Sequence, residues 1–210
     1  MKLLILTLLF LAPTHFTNAQ IQAITETGKR VELFENGKWA YVESKNEKIK
    51  DIPFNSLEFS KNTAANFLVK STNIDAGIWI DPEKWAFEPN GLSPAAEFSF
   101  VNKSADLYAM FITEKVVLPI EKIKPIVLLN LKRAMLDAQI VKEEYRTVNG
   151  NKVLSLQIAG TIQGMEVVYL GYYSSSSKGL AQLLTFCQKS LFFAEKEEME
   201  NFLNGYVVLN

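Results

Sequence analysis

Between Glu144 and Lys189 the chain alternates apolar runs with turn pairs, and no other stretch limits the fold as strongly. Glu144–Val148, Lys152–Ile162, Glu166–Tyr173 and Leu180–Lys189 read as four successive strands. Turn chemistry separates them at Asn149-Gly150, at Gln163-Gly164 and at the Ser174–Ser177 run. Asn-Gly is a strong hairpin signal because both residues tolerate the positive φ of a type I′ turn. Strands joined in this way form an antiparallel sheet. Within it, Val167 and Tyr169 point one way while Val168, Leu170 and Tyr172 point the other. The next strand divides Leu180, Leu184 and Phe186 from Ala181, Leu183 and Cys187. A sheet wet on one face would show a clean apolar–polar alternation, and none is present, so both faces are expected to be covered.

Two helical segments are available as cover. Pro119–Asp137 places Ile123, Val127, Leu131 and Ala134 on one stripe, and Pro125 is compatible with a first turn near Lys122. Ala194–Leu203 carries Glu195, Glu197 and Glu198 early, where the helix dipole favours acids, and Gly205 stands just past its end as a C-cap. The expected class is α+β: an antiparallel sheet with helices on both faces, an α/β/α sandwich. Further strands are expected at Asn66–Ser71, Gly77–Ile80, Ala95–Val101 and Leu107–Ile112.

The N-terminus reads as an export signal. Lys2 is followed by the apolar run Leu3–Ala12, and Thr17-Asn18-Ala19 ends in small residues before Gln20. Cleavage after Ala19 gives a protein exported to the periplasm or the exterior, with no integral membrane segment left. Residues 20–42 then form a small three-stranded β-meander with turns at Thr27-Gly28 and Asn36-Gly37. The charged, aperiodic residues 43–65 read as a linker, and residues 66–210 as the main domain.

Loss of residues 1–19 removes His15, the single histidine, and lowers Lys+Arg from 22 to 21 against 23 acids, a net charge of −2. No basic field remains to bind nucleic acid through counterion release. Without imidazole, Ser/His/Asp and Cys/His catalysis and His-based zinc sites lack their essential group. A lone Cys187 cannot form an internal disulfide, so the core must supply the stability. No phosphate loop, nucleophile elbow or calcium loop is present. No catalytic residue, metal ligand or cofactor is therefore assigned. Binding candidates are aromatic. They are Trp39 and Tyr41 on the ribbon, Trp79 and Trp85 around Asp81-Pro82, and Tyr172 and Tyr173 at the base of the serine-rich hairpin.

One further likeness rests on Asp81-Pro82-x-x-Trp85, the meander with Asn149-Gly150, the Leu- and Phe-rich strand holding Phe186, and the ending Phe202-Leu203-x-Gly205-Tyr206. Over residues 66–208 the order of elements resembles the PsbP-like fold, which also includes the yeast Ran-binding Mog protein and several exported bacterial proteins. The N-terminal ribbon and linker depart from the minimal pattern. The resemblance implies an accessory or binding protein with no shared catalytic site to carry over, and a protein or small molecule as partner. The expected function is thus an exported, non-catalytic binding protein. The alternatives are a hydrolase using carboxylates alone, which needs two acids converging in a pocket, and an assembly protein acting through the ribbon.

Overall fold

The structure is a computed structural model, and it describes residues 21–25, 30–42, 51–88 and 91–209. The expected export signal, the expected turn at Thr27-Gly28 and residues 43–50 lie outside the described residues. Strands β1 (Ile21–Ile24), β2 (Arg30–Leu33) and β3 (Trp39–Tyr41) form a separate antiparallel sheet in the order β1-β2-β3. Gly37 has φ 76° in the turn between β2 and β3. Leu33 lies opposite Trp39 and Val31 opposite Tyr41, so these four share one face.

The main sheet is built on the expected meander. Strands β10 (Gln139–Val148), β11 (Asn151–Ile162), β12 (Met165–Ser176) and β13 (Gly179–Gln188) pair in succession, all antiparallel. Positive φ values at Asn149 (47°), Gly150 (77°), Gln163 (49°) and Gly164 (84°) mark both tight turns. The third hairpin turns later than its serine run suggests, because β12 continues through Ser176. Strands β9 (Tyr108–Glu114), β8 (Phe98–Asn102) and β7 (Trp85–Phe87) extend the sheet beyond β13.

One edge corrects the expectation of a purely antiparallel sheet. Residues 54–59, within the stretch read as irregular linker, form strand β4 (Phe54–Phe59), which runs parallel to β10. The sheet is therefore mixed and eight-stranded, in the order β4-β10-β11-β12-β13-β9-β8-β7. Phe54 lies opposite Tyr145 and Glu58 opposite Thr147, so β4 bulges between them and pushes Leu57 outward. Such a bulge hides the alternation in the sequence and twists the edge strand out of line.

Both faces of the sheet are covered. Helix α2 (Phe192–Leu203) packs Met199, Phe202 and Leu203 onto Leu170, Tyr172, Leu183 and Cys187. A second small sheet shares that face: β5 (Phe67–Lys70), β6 (Ala76–Ile80) and β14 (Tyr206–Val208), in the order β14-β6-β5. The sandwich expectation is amended to this extent, since one layer is part helix and part strand. On the opposite face helix α1 (Ile123–Ala134) buries Ile123 and Val127 against Leu154, Leu156, Tyr173, Leu180 and Leu184. A 3-10 turn at Ile120–Lys122 leads into α1, leaving Pro125 in the first helical turn, where its missing N–H costs no bond.

Gly205 has a different task from the C-cap expected of it. Asn204 ends α2, and Gly205 does not adopt positive φ. A Cβ there would lie 2.0 Å from the Trp79 carbonyl oxygen. The glycine lets β14 turn close enough for the Trp79 N–H to donate to the Gly205 carbonyl at 2.9 Å.

Candidate functional site: the two flanks of helix α2

Helix α2 lies over the sheet with a hollow on either side. The first hollow, a shallow cleft open to solvent with about 20 Å³ of room, lies between α2 and strands β10 to β12. Register builds its floor. Lys142 is opposite Gln157, which is opposite Leu170, and Glu144 is opposite Ser155, which is opposite Tyr172. Lys196, Glu200 and Leu203 of α2 close the other side.

Arg146 organises this cleft from beneath. It is only 6% exposed. Its Nε donates to Glu144 Oε1 at 2.5 Å, Nη1 to the Tyr172 hydroxyl at 2.9 Å, and Nη2 to Glu200 Oε1 at 3.4 Å. The guanidinium also lies over the Phe59 ring, 4.4 Å from its centroid. Tyr172 passes the network on by donating to Asn204 Oδ1 at 2.9 Å. Burial opposes the charge on Arg146, and the oxygens of Tyr172 and Glu144 outweigh it, so its pKa rises. Burial likewise pushes the Glu144 carboxyl up, while hydrogen bonds from Arg146 and Asn55 outweigh that and hold it below the usual carboxylate range. Burial pushes Tyr172 up to about 12, so its hydroxyl stays neutral.

The second hollow, also shallow and open with about 10 Å³ of room, brings together Trp79, Trp85, Asp81 and Lys84 with Asn62 and the α2 residues Glu198, Asn201 and Phe202. Trp85 is its wall: 2% exposed, with its ring 4.2 Å from that of Phe202 and its indole N–H donating to Glu198 Oε1 at 2.8 Å. Lys84 pairs with the same carboxylate. Trp79 is half-buried, and Lys61 lies over its ring at 5.1 Å.

The six aromatic candidates therefore fall in different places. Trp79 and Trp85 meet at one hollow. Tyr172 sits beneath the other, bonded to Arg146. Tyr173 is buried on the opposite face of the sheet in the α1 core and reaches neither hollow. That opposition follows from their adjacency in a strand, where successive side chains alternate. Trp39 and Tyr41 are 55% and 53% exposed on the ribbon, with their rings edge to face at 5.1 Å. The Arg146 network was missed in the sequence. Nothing local links residues 55, 144, 146, 172, 200 and 204, and only the register of the meander predicts that Glu144 and Tyr172 flank one residue of β11.

No protein-family model and no curated protein sequence matches the chain. Solved structures do. Cyanobacterial PsbP (CyanoP) from Synechocystis sp. PCC 6803 superposes with TM-score 0.52 at 12% identity, over 70% of this chain and 94% of that one. LpqN of Mycobacterium tuberculosis, a protein involved in cell envelope biogenesis, gives TM-score 0.51 at 13% identity, over 69% of this chain and 90% of its own. The chain has a PsbP-like fold over most of its length. At these identities the likeness is one of fold.

Proposed function

We propose that this protein is exported and acts as a non-catalytic accessory, binding a protein or small-molecule partner along helix α2. The observation that carries the reading is the hollow beside Trp79 and Trp85. It is concave, has an aromatic wall, and is lined by Asn201 and Trp79, whose side-chain amide and indole N–H have no hydrogen-bond partner among the described residues. Apolar walls with a few unmatched polar groups are the usual make-up of a binding site. Export through residues 1–19, as their sequence reads, would give it a partner in the periplasm or outside the cell. The likeness to CyanoP and to LpqN, the latter involved in cell envelope biogenesis, supports an accessory role in that compartment.

The carboxylate-only hydrolase is the rival. Glu144 and Glu200 do share a cleft, both bonded to Arg146. A general acid must hold its proton near neutral pH, however, and Glu144 is kept ionised by its donors. That favours binding over turnover.

Site-directed photocrosslinking in the exporting cell tests the proposal. A p-benzoylphenylalanine placed at Trp79 is expected to capture one discrete partner, while the same group at the exposed Phe193 captures none. Equal, diffuse labelling from both positions, or turnover of chromogenic esters and glycosides by purified residues 20–210, would contradict it.

A further inference from the structure

The Arg146 cleft lies on the other flank of α2 from the proposed partner site, and its chemistry differs. A guanidinium has five N–H donors in a fixed fork. Arg146 is buried, yet three of its donors have protein acceptors and the weakest of those bonds, to Glu200, is 3.4 Å long. The remaining donors have no acceptor among the described residues. The same cleft is lined by Ser155, Gln157 and Lys196, whose side chains make no hydrogen bond or ion pair among the described residues. Ser155 and Gln157 are half-buried and Lys196 is exposed, so these groups, with the spare guanidinium N–H bonds, are free to donate to an acceptor entering the open cleft.

Charge points the same way. The cleft is lined by Lys142, Arg146 and Lys196 against Glu144 and Glu200, leaving one positive charge in excess. With Glu200 in place a singly charged anion brings the lining to neutrality, and with Glu200 displaced a doubly charged one does. Glu144 is committed, since it accepts from Arg146, Asn55 and Lys142. Glu200 is not: its side chain is 31% exposed and its one ion pair among the described residues is the long one. It can swing toward solvent and give up its place on Nη2. Arginine forks match planar or tetrahedral oxyanions, and a lysine above the fork adds an adjustable charge.

We propose that this cleft binds the oxyanion end of a small molecule, a carboxylate or a phosphate, with Arg146 as the buried anchor, Lys196 and Lys142 on the rim, Ser155 and Gln157 as floor donors, and Glu200 as the group displaced. The site shares no lining residue with the Trp79 hollow, so it stands or falls independently of the partner proposed there.

NMR titration of ¹⁵N-labelled residues 20–210 tests it, with acetate and inorganic phosphate as separate arms and chloride holding the ionic strength constant. A saturable shift confined to residues 142–146, 155–157 and 196–200 is expected, and the arm that saturates first identifies carboxylate or phosphate. Lys196→Ala is expected to weaken binding about threefold to tenfold, as loss of a partly screened charge does. Glu200→Gln is expected to tighten it, because the competing carboxylate is gone; a merely structural Glu200 would not do so. Both positions are on the surface of α2, and unchanged melting of both variants separates binding from folding. Non-saturating shifts spread over the surface lysines would mean an adventitious ion only and would overturn the proposal. So would a Glu200→Gln variant with unchanged or weaker affinity.

Discussion

Single side chains decide several local balances. Thr185 is fully buried on the face of the sheet that α2 covers, and its hydroxyl has no hydrogen-bond partner among the described residues. Valine has nearly the same shape without the unmatched group. Thr185→Val is therefore expected to stabilise the fold by about 1 kcal/mol in urea denaturation. A loss of similar size would mean that the hydroxyl is bonded after all. Glu97 is the opposite case. It accepts from the Thr72 N–H at 2.6 Å, the Thr72 hydroxyl at 2.8 Å, the Ser71 hydroxyl at 2.7 Å and the Thr113 hydroxyl. Burial pushes its pKa up, but the bonds from Thr113, Thr72 and Ser71 together outweigh burial and lower it. A carboxyl depressed in the folded state stabilises above its unfolded pKa, roughly 4.3, and that contribution disappears as pH falls through the folded value. Glu97→Gln is thus expected to cost stability at pH 7, with the difference from wild type closing in melts below pH 4. A gap that stays constant between pH 7 and pH 3 would refute the ionic account.

At the scale of elements, the contact between the first tight hairpin and the end of α2 is the joint most open to test. Asn149 sits in the β10–β11 turn at positive φ, which its side chain tolerates. Its amide also donates to the carbonyls of Asn204 at 2.8 Å and Tyr206 at 2.7 Å, and its oxygen accepts from the Lys61 N–H at 3.0 Å. Asn149→Ala gives up the turn preference and all three bonds, an expected loss of about 2 kcal/mol or more. Asn149→Gly keeps the turn conformation, so any further loss in that variant measures the bonds alone. This residue also shows how much was legible. The Asn-Gly pair announces its turn because turn chemistry is local, and the same holds for Gln163-Gly164. The double-sided burial of β12 and β13 was legible for a related reason: period-two alternation requires only neighbouring residues. The reach of Asn149 to Asn204 and Tyr206 was not legible, and neither was β4, whose bulge breaks the alternation and whose partner lies some ninety residues away. The role of Gly205 was misread because close approach to Trp79 is a tertiary event, whereas a C-cap is a local one. The cleft around Arg146 fails for the same cause: its six participants converge only after register and helix placement are set.

The molecule as a whole consists of a small ribbon on its own hydrogen-bonded sheet and a larger body in which two cores lie on opposite faces of one sheet. Because β1 to β3 pair only with one another among the described residues, removal of residues 20–50 is expected to shift the melting temperature of the remainder by no more than a few degrees. A collapse of the cooperative transition would show that the body depends on the ribbon. The larger claim is that α2 is seated on the sheet firmly enough to hold a hollow open on each flank. The chain carries its own reporter of that seating. Cys187, the single cysteine, lies beneath α2 with its sulfur 3.8 Å from that of Met199, and burial pushes its pKa up to about 11, with Glu195 adding to the effect. The most direct test is the rate at which a small maleimide labels this thiol in native protein at pH 7. If α2 is seated as described, labelling is expected to run at least roughly a hundredfold slower than in denaturant, limited by local opening. Labelling at the denatured rate would mean that the helix does not cover the sheet, and neither hollow would then exist as a site.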